Sequence, residues 1–313
     1  MATDRRATAF VTEAAGFIGL ELVKILVARG HRVFGLADSL DAAERVRRAG
    51  GVPVIGHLLE PGPWQDEAAA EWVFHLSLHA GHRPRVTRRR AASITRAKVS
   101  MDALLLDAVA TDATRRIVYV ADTSCYGATG PRPITEDAPP QPSAWGRCLT
   151  PAVERLQGYL VAGQPIITAF PGWVYGNGGW FRDRVIEPVM AGRRVLLFGK
   201  TGPWVSPIHV EDCVRALVHL AEQGQPGNRY FLVNRDPVRL HDFAATFARL
   251  ANRPLRVIRV PAAATRFVVG PVLTDHLQTD AVFSNIRLRG IGFRFLYPTL
   301  DHGLVQVTGA LDE

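Results

Sequence analysis

The chain has 313 residues, 47% of them hydrophobic and 21% charged, with a formal net charge of +8. That length and apolar content bury a full core in one large domain or two closely packed ones, and they exclude a disordered chain. The positive excess is nearly all arginine, with lysine only at 24, 98 and 200, and the densest run, Arg83 to Arg90, contains Pro84 and no interleaved aromatic residue; this is the pattern of a solvated loop, so no nucleic-acid partner is expected.

No stretch approaches the ~20 consecutive apolar residues of a membrane span. Met1 to Arg6 run directly into an apolar segment with no export signal, so a cytoplasmic protein with no membrane partner is expected. Cysteines at 125, 148 and 213 have neither metal-ligand spacing nor a disulfide framework, which leaves reduced thiols and no metal.

Along the chain, short apolar runs bounded by Gly, Pro or charge predict strands over 7–12, 31–37, 52–55, 72–77, 115–121 and 165–170. Helical spacing predicts helices over 17–29, 41–49, 87–110 and 147–161. Strands alternating with helices imply right-handed crossovers and a doubly wound parallel sheet, a Rossmann-like α/β fold. From about 171 glycine-rich interruptions break the pattern, and one further helix is predicted over 209–222. A first domain over 1–170 and a smaller substrate-binding lobe over 171–313, with segments returning to the main sheet, are therefore expected.

Five motifs fall in order along this frame: Thr12-Glu13-Ala14-Ala15-Gly16-Phe17-Ile18-Gly19, Val73-Phe74-His75-Leu76, Thr123-Ser124-Cys125-Tyr126-Gly127, Pro171-Gly172-Trp173-Val174-Tyr175-Gly176 and His209-Val210-Glu211-Asp212. Together they resemble the extended short-chain dehydrogenase/reductase family of NAD-dependent epimerases and dehydratases, over about the first 250 residues. The resemblance implies an NAD(P) site at the turn of Thr12, Glu13, Gly16, Phe17, Ile18 and Gly19, with Asp38 near the ribose and Leu58 near the adenine. Glu13 replaces the first glycine of the family's turn and His57 stands where the family has an aspartate, so weak or absent cofactor binding is expected. It also implies a homodimer through the helices over 87–110 and 147–161.

The family's tyrosine and lysine are absent: Trp145 and Leu149 hold their positions, one helical turn apart. Tyrosinate-mediated proton transfer is therefore unavailable. Asp122 replaces the family's serine beside Thr123 and Ser124, either as a general acid/base under an apolar lid such as Trp145, or as a turn cap or arginine partner. Thr123 is a candidate oxyanion binder and Ser124 a candidate substrate contact. Lys98 replaces the asparagine that opens the family's long helix, read either as a cation relocated to the site or as a surface lysine. His79 is a further candidate substrate contact, and Trp145, Trp173 and Trp180 together would make an aromatic wall. These losses favour non-redox acid/base chemistry on an aromatic or polyketide-like small molecule. The alternatives are an NAD(P)-dependent reductase or epimerase with a relocated acid/base, and a non-catalytic binder of ligands or partners.

Overall fold

The structure, a computed structural model, describes residues 6–77, 85–109, 112–198 and 202–311. Its centre is a seven-stranded parallel sheet in the order β11-β6-β5-β4-β1-β2-β3. The first six strands are β1 (Thr8–Val11), β2 (Arg32–Ala37), β3 (Val52–Ile55), β4 (Trp72–His75), β5 (Arg116–Val120) and β6 (Ile166–Pro171), each within two residues of its expected bounds. They read as near-continuous apolar runs because helices cover both faces of the sheet.

One face carries α1 (Phe17–Ala28) and α2 (Leu40–Arg48). The other carries the one-turn α3 (Trp64–Glu67), then α4 (Arg88–Ala108) and α5 (Gly146–Val161), which pack side by side. Leu22, Val23, Leu26 and Val46 belong to the core under the first face, and Met101, Leu105, Leu149 and Leu156 to the core under the second.

Beyond β6 the elements are short, and several escape a period-based reading. β7 (Trp173–Tyr175) is followed by α6 (Gly179–Phe181), a π turn over Arg182–Ile186 and α7 (Glu187–Met190). Then come β8 (Val195–Phe198), β9 (Trp204–Val205) and β10 (Pro207–His209), with α8 (Val210–Gln223) returning to pack on α1. β11 (Arg229–Leu232) adds to β6 at the sheet edge. The chain continues through β12 (Val238–Arg239), α9 (Leu240–Leu250), β13 (Val257–Val260), α10 (Ala262–Val268), α11 (Gly270–Gln278), α12 (Ile286–Gly290) and α13 (Leu300–Gly309). A third apolar core, centred on Phe181, Phe243 and Phe247, gathers these later elements.

His209 and Asp212 join the start of α8 to the C-terminal segment, His209 through Gln306 on α13. Asp212, fully buried, accepts the backbone N–H groups of Leu296 and Tyr297 at 2.7 and 2.8 Å. Among the described residues no helix is long and apolar enough to cross a membrane. The strand order reverses between β1 and β4, and in such sheets ligands bind outside the carboxyl ends of the strands at that reversal.

Candidate active site

The turn from β1 into α1 sits at this reversal. Glu13 takes φ 53°, the left-handed backbone that favours glycine, so the turn keeps its tight shape without the expected glycine. Gly19 closes it from the helix side: a Cβ there would lie 2.1 Å from the Glu13 carbonyl oxygen. The N-terminus of α1 has no side-chain cap and no acid in its first turn, which leaves backbone N–H groups and the positive end of the helix dipole for an anion. The exposed Glu13 side chain folds back over the turn; its Cγ and Oε1 lie 3.0 and 3.3 Å from where a Cβ on Gly16 would be. The backbone therefore fits a dinucleotide, and the Glu13 carboxylate leans towards the place its phosphates would take.

Gly16, Phe17, Ile18 and Gly19 are brought together as expected. The Phe17 ring is clamped by the glycine-rich segment after β7, where a Cβ on Gly178 would sit 2.5 Å from it. Asp38 is exposed immediately after β2. Two of the cofactor candidates are spent elsewhere. The Thr12 side chain is fully buried and bonded to His75, and Leu58 packs into the core with Phe10 and Trp64. His57 is exposed and accepts the Leu59 N–H at 3.1 Å, closing its own turn.

Past β5 the chain makes a 3-10 turn over Thr123–Cys125, and Asp122 caps it: Oδ1 accepts the Ser124 N–H at 2.7 Å. Oδ2 accepts the indole N–H of Trp145 at 3.4 Å, which brings Asp122 and Trp145 together. Trp145 and Leu149 are 4% and 2% exposed, which places an indole and an isobutyl group in the core at the family's two ionising positions. Thr123 and Ser124 are buried, and the Ser124 hydroxyl has no hydrogen-bond partner among the described residues. Ser143 stitches the start of α5 to this turn, its N–H donating to the Ser124 carbonyl and its hydroxyl accepting the Gly146 N–H. Burial pushes the Cys125 thiol up to about 12, against a thiolate nucleophile.

Of the three tryptophans expected in one wall, Trp173 and Trp180 are in ring contact. Trp173 packs edge-on to Trp180 at 4.8 Å, and the Trp180 indole N–H donates to the Val174 carbonyl at 2.7 Å. The link to Trp145 comes from α11, an element beyond the reach of the sequence motifs. Asp275 Oδ2 accepts the Ala144 N–H at 2.6 Å beside Trp145, and the ring of His276 lies parallel to Trp173 with centroids 6.2 Å apart. His79 lies outside the described residues.

Lys98 is neither a surface lysine nor a free pocket cation. It is 2% exposed and donates to Asp102 Oδ1 at 2.6 Å, with its ammonium 4.4 Å above the centre of the Tyr119 ring. His75 Nε2 lies 2.7 Å from the same oxygen, and the Tyr119 hydroxyl donates to Oδ2 at 2.6 Å. Asp102 stands one helical turn after Lys98, a spacing that could have disclosed the pair. Burial pulls Lys98 down and the Asp102 charge pulls it part of the way back. Burial also pushes the Asp102 carboxyl up, but the charge of Lys98 and its hydrogen bonds outweigh this and hold it low. Among the described residues no cluster of His, Cys, Asp or Glu could hold a metal ion.

The sequence model of the NAD dependent epimerase/dehydratase family matches residues 9–232. The chain belongs to this family. Two of its relatives are named as reductases. A 3-diazoavenalumate denitrifying reductase of Streptomyces sp is 29% identical over 94% of this chain and 98% of its own. A 4-hydroxy-2-methyl-3-oxo-4-farnesyl-3,4-dihydroquinoline-1-oxide ketoreductase of Stigmatella aurantiaca is 28% identical over 82% of this family member and 77% of the relative. Among solved structures, the Bacillus cereus UDP-glucuronic acid 4-epimerase with NAD superposes with a TM-score of 0.81 at 16% identity, covering 97% of this chain and 99% of that one. A human epimerase family protein with NADPH gives 0.78 at 19% identity, covering 96% and 99%. At these identities the superpositions speak for the fold alone.

Proposed function

We propose that this family member is a nicotinamide-dependent reductase of a small aromatic or polyketide-like molecule, working without the tyrosine and lysine of its relatives. The observation that carries this reading is Glu13 at φ 53°, where the turn holds its dinucleotide-binding shape against the preference of the residue in it. The two relatives described above are named as reductases, which supports redox chemistry ahead of the non-redox reading. A bound nicotinamide would supply hydride. The N–H groups of Gly16 to Gly19 would hold its phosphates, and Asp38 a ribose diol, which favours NAD over NADP.

The missing tyrosine constrains the substrate. With Trp145 and Leu149 buried at those positions, neither residue can protonate an alkoxide as the family's tyrosine would. An acceptor whose hydride adduct is a delocalised anion, such as a quinone or a conjugated carbonyl, needs no such acid. The unpartnered Ser124 hydroxyl and the neighbouring Thr123 would donate to the developing oxyanion, while Asp122 orients the Trp145 indole. The residues over 171–313 would cover the substrate, and α4 and α5 would pair with those of a second copy in a homodimer.

The test is NADH and NADPH consumption against a panel of quinones and simple ketones. Turnover of quinones but not of ketones is expected, with Ser124→Ala lowering kcat/KM by about 10²-fold. Turnover of simple ketones, or no turnover with either nucleotide, would overturn the reading. A second reading, acid/base catalysis by Asp122 without a nucleotide, is favoured by the lean of the Glu13 carboxylate over the α1 N-terminus.

A further inference from the structure

The buried group around Asp102 continues to the phosphate-binding turn. His75 Nδ1 lies 3.0 Å from the Thr12 hydroxyl, which also accepts the Leu76 N–H at 3.0 Å and the Ser77 hydroxyl at 3.1 Å. Thr12 directly precedes Glu13, and its own N–H donates to the Phe74 carbonyl at 3.0 Å. Lys98, Asp102, His75 and Thr12 thus form an unbroken line from α4, through the end of β4, to the turn.

Donor and acceptor counting assigns every proton in this line. Asp102 is held as a carboxylate, so Oδ1 accepts from both the Lys98 ammonium and His75 Nε2–H, while Oδ2 accepts from Tyr119. The 3.3 Å approach of Lys98 to His75 Nε2 is then a contact between two donors turned onto one oxygen. With its proton on Nε2, the imidazole presents a bare Nδ1 to the turn. Thr12, both lone pairs taken by Leu76 and Ser77, gives its single proton to that nitrogen. A protonated His75 would put a third donor against an oxygen with two lone pairs.

We infer that Lys98 and Asp102 are positioning residues, which hold His75 neutral in its Nε2–H form so that Thr12 fixes the backbone of the turn carrying Glu13. Lys98 is the deciding member. It balances the buried Asp102 charge, and its presence leaves no need for a cationic imidazole beside that carboxylate. Burial lowers the His75 pKa, and the charge of Lys98 lowers it further against the pull of Asp102. Without Lys98, the buried carboxylate would take its counter-charge from His75 and break the hydrogen bond to Thr12. Among the described residues the ionisable groups facing the line are Asp102 and Lys98 from α4 and Tyr119 from β5, with Cys125 after β5 acting on both Lys98 and Tyr119, and Tyr159 of α5 feeling the Asp102 charge; burial holds the thiol and the Tyr119 phenol neutral.

The test combines imidazole nitrogen NMR of His75, amide hydrogen exchange over 13–20 and NADH titration, in the wild-type protein and in Lys98→Met, Thr12→Val and Thr12→Ser. In the wild type the ring is expected neutral with its proton on Nε2. In Lys98→Met it is expected cationic at pH 7, with exchange in the turn at least about tenfold faster, a loss of about 1.4 kcal/mol in local stability. Thr12→Val keeps the ionic groups and the side-chain shape but removes the hydroxyl, so it is expected to speed exchange similarly, while Thr12→Ser restores wild-type protection. NADH affinity is expected to fall about tenfold wherever exchange accelerates. Should His75 stay neutral in Lys98→Met, or the turn keep its protection in both Lys98→Met and Thr12→Val, the inference falls. The affinity readout alone rests on the proposed nucleotide site: absence of wild-type NADH binding would remove that site, and the NMR and exchange results would still decide the positioning roles.

Discussion

Glu13 sits in a backbone region that costs a residue with a side chain about 1–2 kcal/mol. Glycine would relieve that cost and give back about 0.5–1 kcal/mol in chain entropy. Glu13→Gly is therefore expected to raise stability by about 0.5–1 kcal/mol in denaturant unfolding, and to tighten NADH binding by about tenfold because the carboxylate beside Gly16 is gone. The opposite holds at Gly19, where a methyl would lie 2.1 Å from the Glu13 carbonyl oxygen. Gly19→Ala is expected to cost about 1–3 kcal/mol in the same measurement. Residue identities alone disclosed that the turn was unusual. They did not disclose that its φ survives, because the close approach of Gly19 to the backbone of Glu13 and Ala14 is visible only in the fold.

The elements of the first half were legible from periodicity because parallel strands are apolar throughout and their covering helices are long. Short elements such as β9 and the π turn over Arg182–Ile186 have too few residues for any period to emerge. Asp122, just after β5, and Trp145, just before α5, could be picked out from motif positions, whereas α11 with its Asp275 and His276 could not, because it meets them only in the fold. Neither reading of Lys98, as a relocated cation or as a surface lysine, named its partner, because only the fold shows that Asp102 is buried with it. At α5 the consequence is direct. Leu149 is 2% exposed within the core, so restoring the family's pair as Trp145→Tyr with Leu149→Lys would bury an ammonium without a partner. This double variant is expected to lose about 3–5 kcal/mol in thermal unfolding, and to gain no ketone reduction. A stable variant that reduces ketones would contradict that account of α5.

Across the whole molecule, two buried histidines tie strand ends to the helices packed on them. His75 lies between β4 and α4, and His209 caps α8, accepting the Glu211 N–H at Nδ1 and facing Gln306 Oε1 at 3.0 Å from Nε2. Burial lowers both from the ordinary value of 6.5. The unfolded chain therefore binds more protons than the folded one below that value, and stability rises with pH through this window. The stabilisation is complete above pH 6.5 and is lost as pH falls towards the folded pKa values. The unfolding midpoint is expected to drop between pH 6.5 and 5, and a His209→Gln variant to drop less steeply. A midpoint independent of pH over that range would contradict the neutral, buried state of both rings.

The most direct measurement is a fluorescence titration of cofactor-stripped wild-type protein and Glu13→Gly with NADH and NADPH, read from the native tryptophans. Saturable binding by both proteins, with NADH preferred and tighter in Glu13→Gly, is the expected result. Absence of binding by either protein up to millimolar nucleotide would contradict a dinucleotide site in this turn, and with it the reductase.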